Sequence, residues 1–415
     1  MKITLQAPVE REIELADLVV DLERMRRRAA RPFSQQSLHF IDALSQELRS
    51  NRDARAFPEL QALAFHIRKS ELARLKQEFS ALSTADTVLA SRGLAFHIPP
   101  SNVPALFVYS WLYAFAAGNA NVIRLPSRAC AQTAILCAAF RRLLRRPAFR
   151  SLGGSLRLLS YEHADEATAA ISLRADIRVL WGGDDTVQRL RALPLKPLAR
   201  ELAFGDRYSL SVLEARSYLA SSARQRQDLA AKFYNDCYYF HQQACSSPRL
   251  VVWRAAAAQA ERAGELFFAA LQAEIRRKGF LLDAGAALKK LSFVYCAALC
   301  EPAIKHRSYG NELTVLSLGA LKRLRRVHCG WGLFYEARIA RFDELAGFVC
   351  EKDQTLTHFG FSAAEIADFS RSLDGRGLNR IVPCGQALTF GRYWDGYDLL
   401  QEMTQRIYVA PRVAT

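Results

Sequence analysis

The sequence predicts an α/β fold with two domains, each built around a mostly parallel β-sheet. The chain has 415 residues, which is more than one hydrophobic core usually holds. From Leu89 onward, short apolar segments typical of strands alternate with helix-type segments, and residues 249–338 show the same alternation again. Such alternation is typical of βαβ crossovers, in which parallel strands form a central sheet covered by helices.

Residues 1–88 are predicted to form a helical N-terminal region ahead of this sheet. Between residues 11 and 80, two segments place apolar residues at intervals of three and four, as an amphipathic helix does. The segments are EIELADLVVDLERMRRRAA and PELQALAFHIRKSELARLKQEFSAL. We expect both to pack on the main body of the protein.

Residues 89–235 are predicted to form a nucleotide-binding domain of Rossmann type. Its strands are GLAFHI, NVIRL, LRLLSY and IRVLWG, with helices at residues 103–117, 130–144 and 164–173. Ligands of such sheets bind at the carboxyl ends of the strands. The segments that follow the strands, PPSNVP, RLPSR and WGGDDT, are therefore candidate binding segments, although no GxGxxG motif is present.

Residues 236–390 are predicted to form a second α/β domain, which a C-terminal segment, residues 391–415, follows. The predicted strands of the second domain are RLVVW, LSFVYCAAL, ELTVLSL and GLFYEAR. Cys245 lies where an aromatic-rich helix gives way to the first of these strands. A thiol at such a corner can face a cleft and act as a nucleophile, whereas a buried cysteine elsewhere behaves as a small apolar residue.

The composition favours a cytoplasmic protein whose ligands carry phosphate. The net charge is +16, which suits a phosphorylated cofactor, coenzyme A or nucleic acid, but no segment resembles a nucleic-acid-binding module. The nine cysteines have neither CxxC nor zinc-type spacing, so we expect reduced thiols and no metal site. The N-terminus lacks the layout of a signal peptide, and the longest apolar run, residues 103–117, is too short to span a bilayer.

Five short motifs occur in an order that points to one superfamily. They are Asn102-Val103-Pro104, Ala117-Gly118-Asn119 followed by Arg124, Trp181-Gly182-Gly183, Glu201-Leu202 and Gln243-Ala244-Cys245. In this order they resemble the aldehyde dehydrogenase superfamily. The segments FHIPPSNVP, ARELAFGDRYSLSVL, QQACSSPRLVVW and WDGYDLL are most similar to its acyl-CoA reductase family, which includes the fatty-acid reductase subunit of bacterial bioluminescence. The resemblance extends from Gly93 to the C-terminus.

The resemblance implies an aldehyde-dehydrogenase-like fold and the reduction of a fatty acyl thioester to the aldehyde. Cys245 would carry the acyl group, while Asn102 and the backbone N–H of Cys245 would stabilise the oxyanion. Glu201 falls at the position of a general base. The local sequence ELAFG differs from the family's ELGG, so a proton relay or a structural carboxylate remains open for Glu201.

The resemblance also implies a nicotinamide cofactor and names the residues that would bind it. Arg124 falls at the position of a ribose-contacting lysine, and Ser127 and Arg128 follow it. Arg128 falls near the position of a glutamate in the superfamily. A guanidinium there in place of a carboxylate favours NADPH over NADH, because it can bind the 2′-phosphate. Gly182 and Gly183 would let the backbone approach the dinucleotide, unless the acidic helix start that follows them only shapes the site.

The expected substrate is a fatty acyl-CoA or an acyl-protein, with an acyl-protein synthetase as a partner and a homo-oligomer as the assembly. Three alternatives remain open at this point. The chain could be an aldehyde dehydrogenase running toward the acid, or an acyltransferase that uses the same cysteine without nicotinamide. It could also be a non-catalytic or nucleic-acid-binding basic protein that retains the fold.

Overall fold

The chain divides into two compact units, and the first of them is formed by two separate segments of the chain. The computed structural model describes residues 1–100, 103–126, 130–162, 164–301, 304–324 and 326–410. The first unit comprises Met1–Gly205 and Phe390–Thr415, and the second comprises Asp206–Thr389. The units differ in their boundaries from the domains expected from the sequence, which ended at residues 88, 235 and 390.

The secondary-structure elements alternate along the chain. The strands are β1 (Lys2–Ala7), β2 (Arg11–Glu14), β3 (Thr87–Ser91), β4 (Leu94–Ile98), β5 (Ala120–Arg124), β6 (Leu156–Ser160), β7 (Ile177–Trp181), β8 (Arg200–Phe204), β9 (Tyr208–Glu214), β10 (Pro248–Arg254), β11 (Lys305–Ser308), β12 (Thr314–Ser317), β13 (Leu333–Ile339), β14 (Asp353–Phe359), β15 (Arg380–Pro383), β16 (Tyr393–Trp394), β17 (Tyr397–Asp398) and β18 (Thr404–Tyr408). The α-helices are α1 (Leu15–Arg26), α2 (Gln35–Ser50), α3 (Pro58–His66), α4 (Lys69–Ser80), α5 (Leu106–Ala116), α6 (Ala131–Arg145), α7 (Asp165–Ser172), α8 (Asp184–Arg191), α9 (Ala215–Ala220), α10 (Ala223–Tyr238), α11 (Ala257–Arg277), α12 (Ala284–Cys300), α13 (Phe342–Phe348), α14 (Ala363–Ser372) and α15 (Leu399–Glu402).

The first unit contains a seven-stranded sheet in the order β2-β1-β6-β5-β4-β7-β8. Strands β6, β5, β4, β7 and β8 are parallel to one another, whereas β1 runs antiparallel to β6. Every residue of β4, β5 and β7 is buried, because helices cover both faces of a parallel sheet. The predicted α/β architecture of this region is therefore confirmed.

The N-terminal segment joins the first unit through both strands and helices. Residues 11–14 form β2 rather than the start of a helix, because they pair with β1 across the register Lys2↔Glu14 to Leu5↔Arg11. Helices α2, α3 and α4 bury their apolar faces in the same core as α5 and α6. At the other end of the chain, β18 pairs antiparallel with β3. The N-terminal elements and β18 therefore share the sheet contacts and the core of the first unit.

The second unit contains another seven-stranded sheet, in the order β11-β12-β13-β10-β9-β14-β15. All neighbouring strands in it are parallel except β11, which runs antiparallel to β12. Strands β9 and β10 occupy the middle of the sheet, and helices α10 and α11 pack on one of its faces. The loop between α10 and β10 therefore lies at the end of a strand in the middle of the sheet.

One predicted strand of the second unit is wrong. The segment LSFVYCAAL lies inside helix α12 (Ala284–Cys300). A short apolar run can belong to a buried strand or to a helix, and here the upstream residues decide. The Asp283 side chain caps the helix by accepting a hydrogen bond from the N–H of Ala286 at 2.9 Å. Across the described residues, no helix combines the length and the apolar character that a membrane crossing requires.

Candidate active site

Cys245 lies in the loop that connects α10 to β10. Strand β10 runs between β9 and β13 in the second sheet, so the loop approaches the middle of that sheet. Cys245 is partly buried, and the next two residues, Ser246 and Ser247, are fully buried. None of the nine cysteines, all of which belong to the described residues, forms a disulfide. The loop therefore presents a thiol at the predicted corner between helix and strand.

The side chain of Gln242 fastens the loop from within. Its amide nitrogen donates hydrogen bonds to the carbonyl oxygens of Pro248 at 2.9 Å and Leu333 at 3.0 Å, and its amide oxygen accepts from the N–H of Gly332 at 3.0 Å. His241 and Gln242 both have left-handed backbone conformations, with φ of 51° and 62°. Such conformations are unfavourable for residues other than glycine. The three hydrogen bonds compensate for this strain and set the path of the chain toward the cysteine.

Two further side chains fix the backbone next to the thiol. The Ser209 hydroxyl donates a hydrogen bond to the carbonyl oxygen of Cys245 at 2.6 Å. The Gln243 side chain donates to the carbonyl oxygen of Cys329 at 2.9 Å. Because a nucleophile must be held in one geometry, such contacts suit a catalytic loop as well as a structural one.

A buried carboxyl group adjoins the same loop. Burial raises the pKa of Asp236 to about 7, although the N–H groups of Gly385 and Ala387 oppose this shift by donating hydrogen bonds at 2.6 Å and 2.8 Å. The Ser247 hydroxyl donates to the backbone carbonyl of Asp236 at 2.7 Å. A titratable group that changes its protonation near neutral pH is thus attached to the loop that carries Cys245.

Arg249 brings a positive charge to the loop. Its side chain is 2% exposed, and it donates hydrogen bonds to the carbonyl oxygens of Arg207 at 2.7 Å and Ala244 at 3.4 Å. The guanidinium carbon lies 5.7 Å from the centre of the Tyr208 ring. Burial lowers the pKa of Arg249, and the attraction to Cys245 is the largest influence that opposes this lowering. Arg249 therefore places a buried guanidinium against the backbone of the loop that carries Cys245.

Two histidines lie near this loop in sequence or in space. Burial lowers the pKa of His328 to about 3, and the charge of Arg249 lowers it further. His328 is therefore neutral at physiological pH and adds no positive charge. His241, four residues before Cys245, is exposed, with its ring 5.5 Å from that of Phe280.

Glu201 lies in β8 of the first unit and is paired with two guanidinium groups. Its Oε2 accepts a hydrogen bond from Nε of Arg178 at 2.7 Å, and its Oε1 is 2.9 Å from Nε of Arg191. The Arg178 side chain is only 2% exposed, so Glu201 neutralises a buried charge. This environment suits a structural carboxylate, and a catalytic role for Glu201 stays a prediction.

The first sheet has the strand order at which nucleotide-binding sheets form a crevice. After β4, the next two strands of the chain, β5 and β6, are added on one side of β4. The following strands, β7 and β8, are added on its other side, so the direction of winding reverses between β4 and β7. Ligands of open α/β sheets bind outside the carboxyl ends of the strands at such a reversal. Gly182 and Gly183 follow β7 at this edge, and a β-carbon added to Gly183 would meet no atom within 4 Å. The glycine turn therefore leaves open space at the crevice.

Arg124 ends β5, the other neighbour of β4. Its side chain is 8% exposed, and its guanidinium carbon lies 4.6 Å from the centre of the Tyr161 ring. The Tyr161 ring thus supports a positive charge at the carboxyl edge of the sheet. Binding of a cofactor by Arg124 stays a prediction.

Three of the predicted site residues cannot be located in this way. Asn102, Ser127 and Arg128 lie outside the described residues. Their expected roles, one oxyanion donor and two cofactor contacts, stay predictions. No cluster of three or more His, Cys, Asp or Glu side chains within the described part of the chain is arranged to hold a metal ion.

Sequence reasoning missed the residues that hold the Cys245 loop. Gln242 and Ser209 have no distinguishing local signal, since glutamine and serine are common in loops and strands. Arg249 does carry one, because it is a charged residue within the otherwise apolar strand segment PRLVVW. A charge in such a position signals a buried ionic interaction or a functional site.

Comparisons with known proteins agree with this architecture. The family profile described as Acyl-CoA reductase (LuxC) matches residues 15–279, which is more than half of the chain. Among curated protein sequences, no significant match to the chain is found.

Several solved aldehyde dehydrogenases have the same fold. Aldehyde dehydrogenase 21 from Physcomitrella patens, in complex with succinate, has a TM-score of 0.70 at 12% identity, covering 97% of this chain and 92% of its own. HpcC from Thermus thermophilus has a TM-score of 0.69 at 13% identity, covering 97% and 87%. Glyceraldehyde-3-phosphate dehydrogenase GapN from Methanocaldococcus jannaschii, complexed with NADP, has a TM-score of 0.68 at 12% identity, covering 95% and 93%. The predicted aldehyde-dehydrogenase-like fold is therefore confirmed.

Proposed function

The chain belongs to the acyl-CoA reductase (LuxC) family of oxidoreductases, and we propose that it reduces a fatty acyl thioester to the fatty aldehyde with NADPH. The acyl donor is a fatty acyl-CoA or an acyl-protein, and Cys245 carries the acyl group as a covalent intermediate. The observation that carries this proposal is the fixed loop at Cys245, where the buried guanidinium of Arg249 donates a hydrogen bond to the carbonyl oxygen of Ala244, the residue before the thiol.

Cys245 performs the acyl transfer. Its thiolate attacks the thioester carbon, a new C–S bond forms at Sγ, and the bond to the departing thiol breaks. The departing thiolate takes a proton from solvent, so the charge of the reaction is balanced. The hydrogen bonds of Gln242 and Ser209 support this step, because they hold the backbone around the nucleophile in one conformation.

The crevice beside β4 and β7 fits a dinucleotide. Gly182 and Gly183 would face it with their backbone, and Arg124, Ser127 and Arg128 would contact its ribose and the attached 2′-phosphate. Arg124 supports the choice of NADPH, because a guanidinium at the carboxyl edge of the sheet attracts a phosphate. When bound, NADPH supplies the hydride that reduces the acyl carbon to the level of an aldehyde.

Reduction leaves negative charge on the former carbonyl oxygen, which the protein must stabilise. The family resemblance assigns this task to Asn102 and to the backbone N–H of Cys245. Loss of one such donor usually raises the barrier by about 3 kcal/mol. When the hemithioacetal collapses, the C–S bond breaks, the aldehyde leaves and Cys245 returns to the thiolate.

The surroundings of Glu201 support reduction over hydrolysis. An aldehyde dehydrogenase that runs toward the acid needs a general base to activate water on the acyl-enzyme. The guanidinium groups of Arg178 and Arg191 occupy both carboxylate oxygens of Glu201, so this carboxylate is not free to bind and orient a water molecule. We therefore propose that water attack is slow and that the acyl-enzyme persists until it is reduced.

Mass spectrometry of the intact protein tests the proposal. The protein is mixed with a long-chain acyl-CoA, with and without NADPH, and the mass of one acyl group is sought. We expect the adduct on the wild-type protein and its loss as free aldehyde on addition of NADPH. The Cys245→Ala variant should form no adduct. Cys296→Ser and Cys300→Ser serve as matched controls, because both thiols are exposed and could be acylated non-specifically.

Other outcomes favour the other functions. An adduct that NADPH does not discharge indicates an acyltransferase, and acid in place of aldehyde indicates an aldehyde dehydrogenase. If Cys245→Ala is acylated as efficiently as the wild type, Cys245 is a structural thiol and the proposed reduction is wrong. NADH in parallel with NADPH tests the cofactor preference.

We also propose a cytoplasmic homo-oligomer that receives its acyl group from free acyl-CoA or from an acyl-protein synthetase. Nine cysteines without a disulfide support a reducing compartment. Light scattering of the purified protein gives the oligomeric state, and a monomer at micromolar concentration would contradict this part of the proposal.

A further inference from the structure

Arg249 is a buried charge with unusual partners. Its guanidinium donates to two backbone carbonyl oxygens, and its Nε–H has no hydrogen-bond acceptor among the described residues. Burial of a cation is unfavourable unless another group balances the charge. Backbone carbonyls provide only partial charges, so Arg249 needs an anion nearby.

Cys245 is the group best placed to be that anion. The attraction between Cys245 and Arg249 exceeds the attraction of Arg249 to Tyr208 and to Asp206. Arg249 reaches the loop directly through the carbonyl oxygen of Ala244, the residue before Cys245. The coupling is reciprocal: if the thiolate stabilises the guanidinium, the guanidinium stabilises the thiolate by the same free energy.

The other titratable groups around this pair do not supply the positive charge that Arg249 supplies. Burial lowers the pKa of His328 to about 3, so its imidazole is neutral. Burial raises the pKa of Tyr208 far above its ordinary value, and it raises the pKa of Cys237 well above the ordinary value of a thiol. Asp206 favours the charged form of Arg249 less strongly than Cys245 does, and it adds no positive charge. Among these groups, the positive charge comes from Arg249.

We propose that the Arg249 guanidinium holds Cys245 as a thiolate and is therefore a positioning residue for the nucleophile. The thiol proton passes to water, and the sulfur is left as the counterion of a cation that cannot lose its own proton. The proposal rests on the proposed function only where it concerns acyl transfer, since the ionisation of Cys245 can be measured without a substrate.

The pH dependence of alkylation tests this proposal. The rate at which iodoacetamide modifies each cysteine is measured between pH 5 and pH 10 by peptide mass spectrometry. In the wild-type protein, Cys245 should react at lower pH than the exposed Cys296 and Cys300. If Cys245 needs the same pH as these two or a higher one, the proposal is overturned without any variant.

Variants at position 249 separate charge from hydrogen bonding. Arg249→Gln keeps an N–H donor and removes the charge, so the midpoint of the alkylation profile should rise by roughly 1 to 3 pH units. Arg249→Lys keeps a cation and should shift it less. Arg254→Gln is the matched control, because Arg254 lies on the same strand and pairs with Glu214 and Glu365. Its profile should match that of the wild type.

The outcomes also separate this proposal from the proposed function. If Arg249→Gln folds and its midpoint equals that of the wild type, the guanidinium does not stabilise the thiolate and the proposal is wrong. If the midpoint rises as expected but acyl-CoA gives no adduct on the wild type, Arg249 activates a thiol that serves another reaction. A slower reaction at every pH in both variants, without a shift of midpoint, would indicate a purely structural arginine.

Discussion

Two arginines that are buried to the same extent have different partners. Arg178 in the first unit and Arg249 in the second are each 2% exposed. Arg178 donates to the carboxylate of Glu201 at 2.7 Å, whereas the hydrogen bonds of Arg249 go to the backbone carbonyl oxygens of Arg207 and Ala244. A buried arginine with a carboxylate partner is satisfied by the fold itself. A buried arginine that has only backbone acceptors can stabilise the anionic form of a neighbouring group, which for Arg249 we propose to be Cys245.

The ion pair between Arg178 and Glu201 is expected to make a large contribution to the free energy of unfolding. Replacing Glu201 by leucine leaves the buried guanidinium without its carboxylate, so the free energy of unfolding should fall by about 4 kcal/mol. The double variant Arg178→Met, Glu201→Leu should regain most of this loss, because neither charge remains. Urea denaturation measures both effects. Equal stability of Glu201→Leu and the wild type would show that Arg178 does not need its partner.

Gln242 holds the loop that leads to Cys245 through neutral hydrogen bonds, in contrast to the ion pair of Arg178. Gln242→Ala removes three hydrogen bonds to buried backbone groups, so we expect a loss of about 3 kcal/mol in the free energy of unfolding. Gln243→Ala is the matched control, because its side chain donates one hydrogen bond and the expected loss is about 1 kcal/mol. Similar losses for the two variants would contradict the assignment of Gln242 as the main contact of the loop.

His97 in β4 shows how a buried group avoids charge altogether. Its ring nitrogens form hydrogen bonds with Ser110 at 2.7 Å and Asn121 at 3.0 Å, and burial lowers its pKa to about 4. The folded protein therefore binds fewer protons than the unfolded chain between about pH 4 and 6.5. The stability that comes from neutral His97 is present above pH 6.5 and is lost as the pH falls.

We therefore expect wild-type protein to lose about 2 kcal/mol more than His97→Gln when the pH falls from 7 to 5. Denaturation curves of both proteins at the two pH values measure the difference. Because other buried histidines titrate in both proteins, only the difference between them reports on His97. Parallel pH profiles would mean that His97 is not the neutral group described.

The smallest effect is expected at the outer side of the Glu201 ion pair. The Arg191 side chain is 62% exposed, so solvent screens its interaction with Glu201. Arg191→Met should lower the free energy of unfolding by less than about 1 kcal/mol. A loss as large as that of Glu201→Leu would show that exposure does not distinguish the two arginines that flank this carboxylate.

Much of the fold could be predicted from local patterns. Strands β4, β5 and β7 are apolar runs buried on both faces of a parallel sheet, and their sequences record that burial directly. The corner at Cys245 was predictable for the same reason, since an aromatic helix and a Val-rich strand flank it. The motif order that indicates the family likewise depends on positions after strands, where a ligand of the sheet must bind.

Elements that depend on distant partners could not be predicted in this way. Residues 11–14 form a strand only because β1 lies beside them, and α12 is a helix although its apolar run suits a strand equally. The C-terminal strand β18 returns to pair with β3, more than 300 residues earlier, and no local pattern indicates this pairing.

The sequence by itself determined the parallel α/β class, the family and the identity of the candidate nucleophile. Tertiary structure decided the environment of each charge, which is why Glu201 is paired with Arg178 and why Arg249 reaches the backbone of the loop that carries Cys245. The physical reason is that hydrophobic periodicity is a property of neighbouring residues, whereas the electrostatics of a buried group depend on whatever the fold brings within a few ångströms of it.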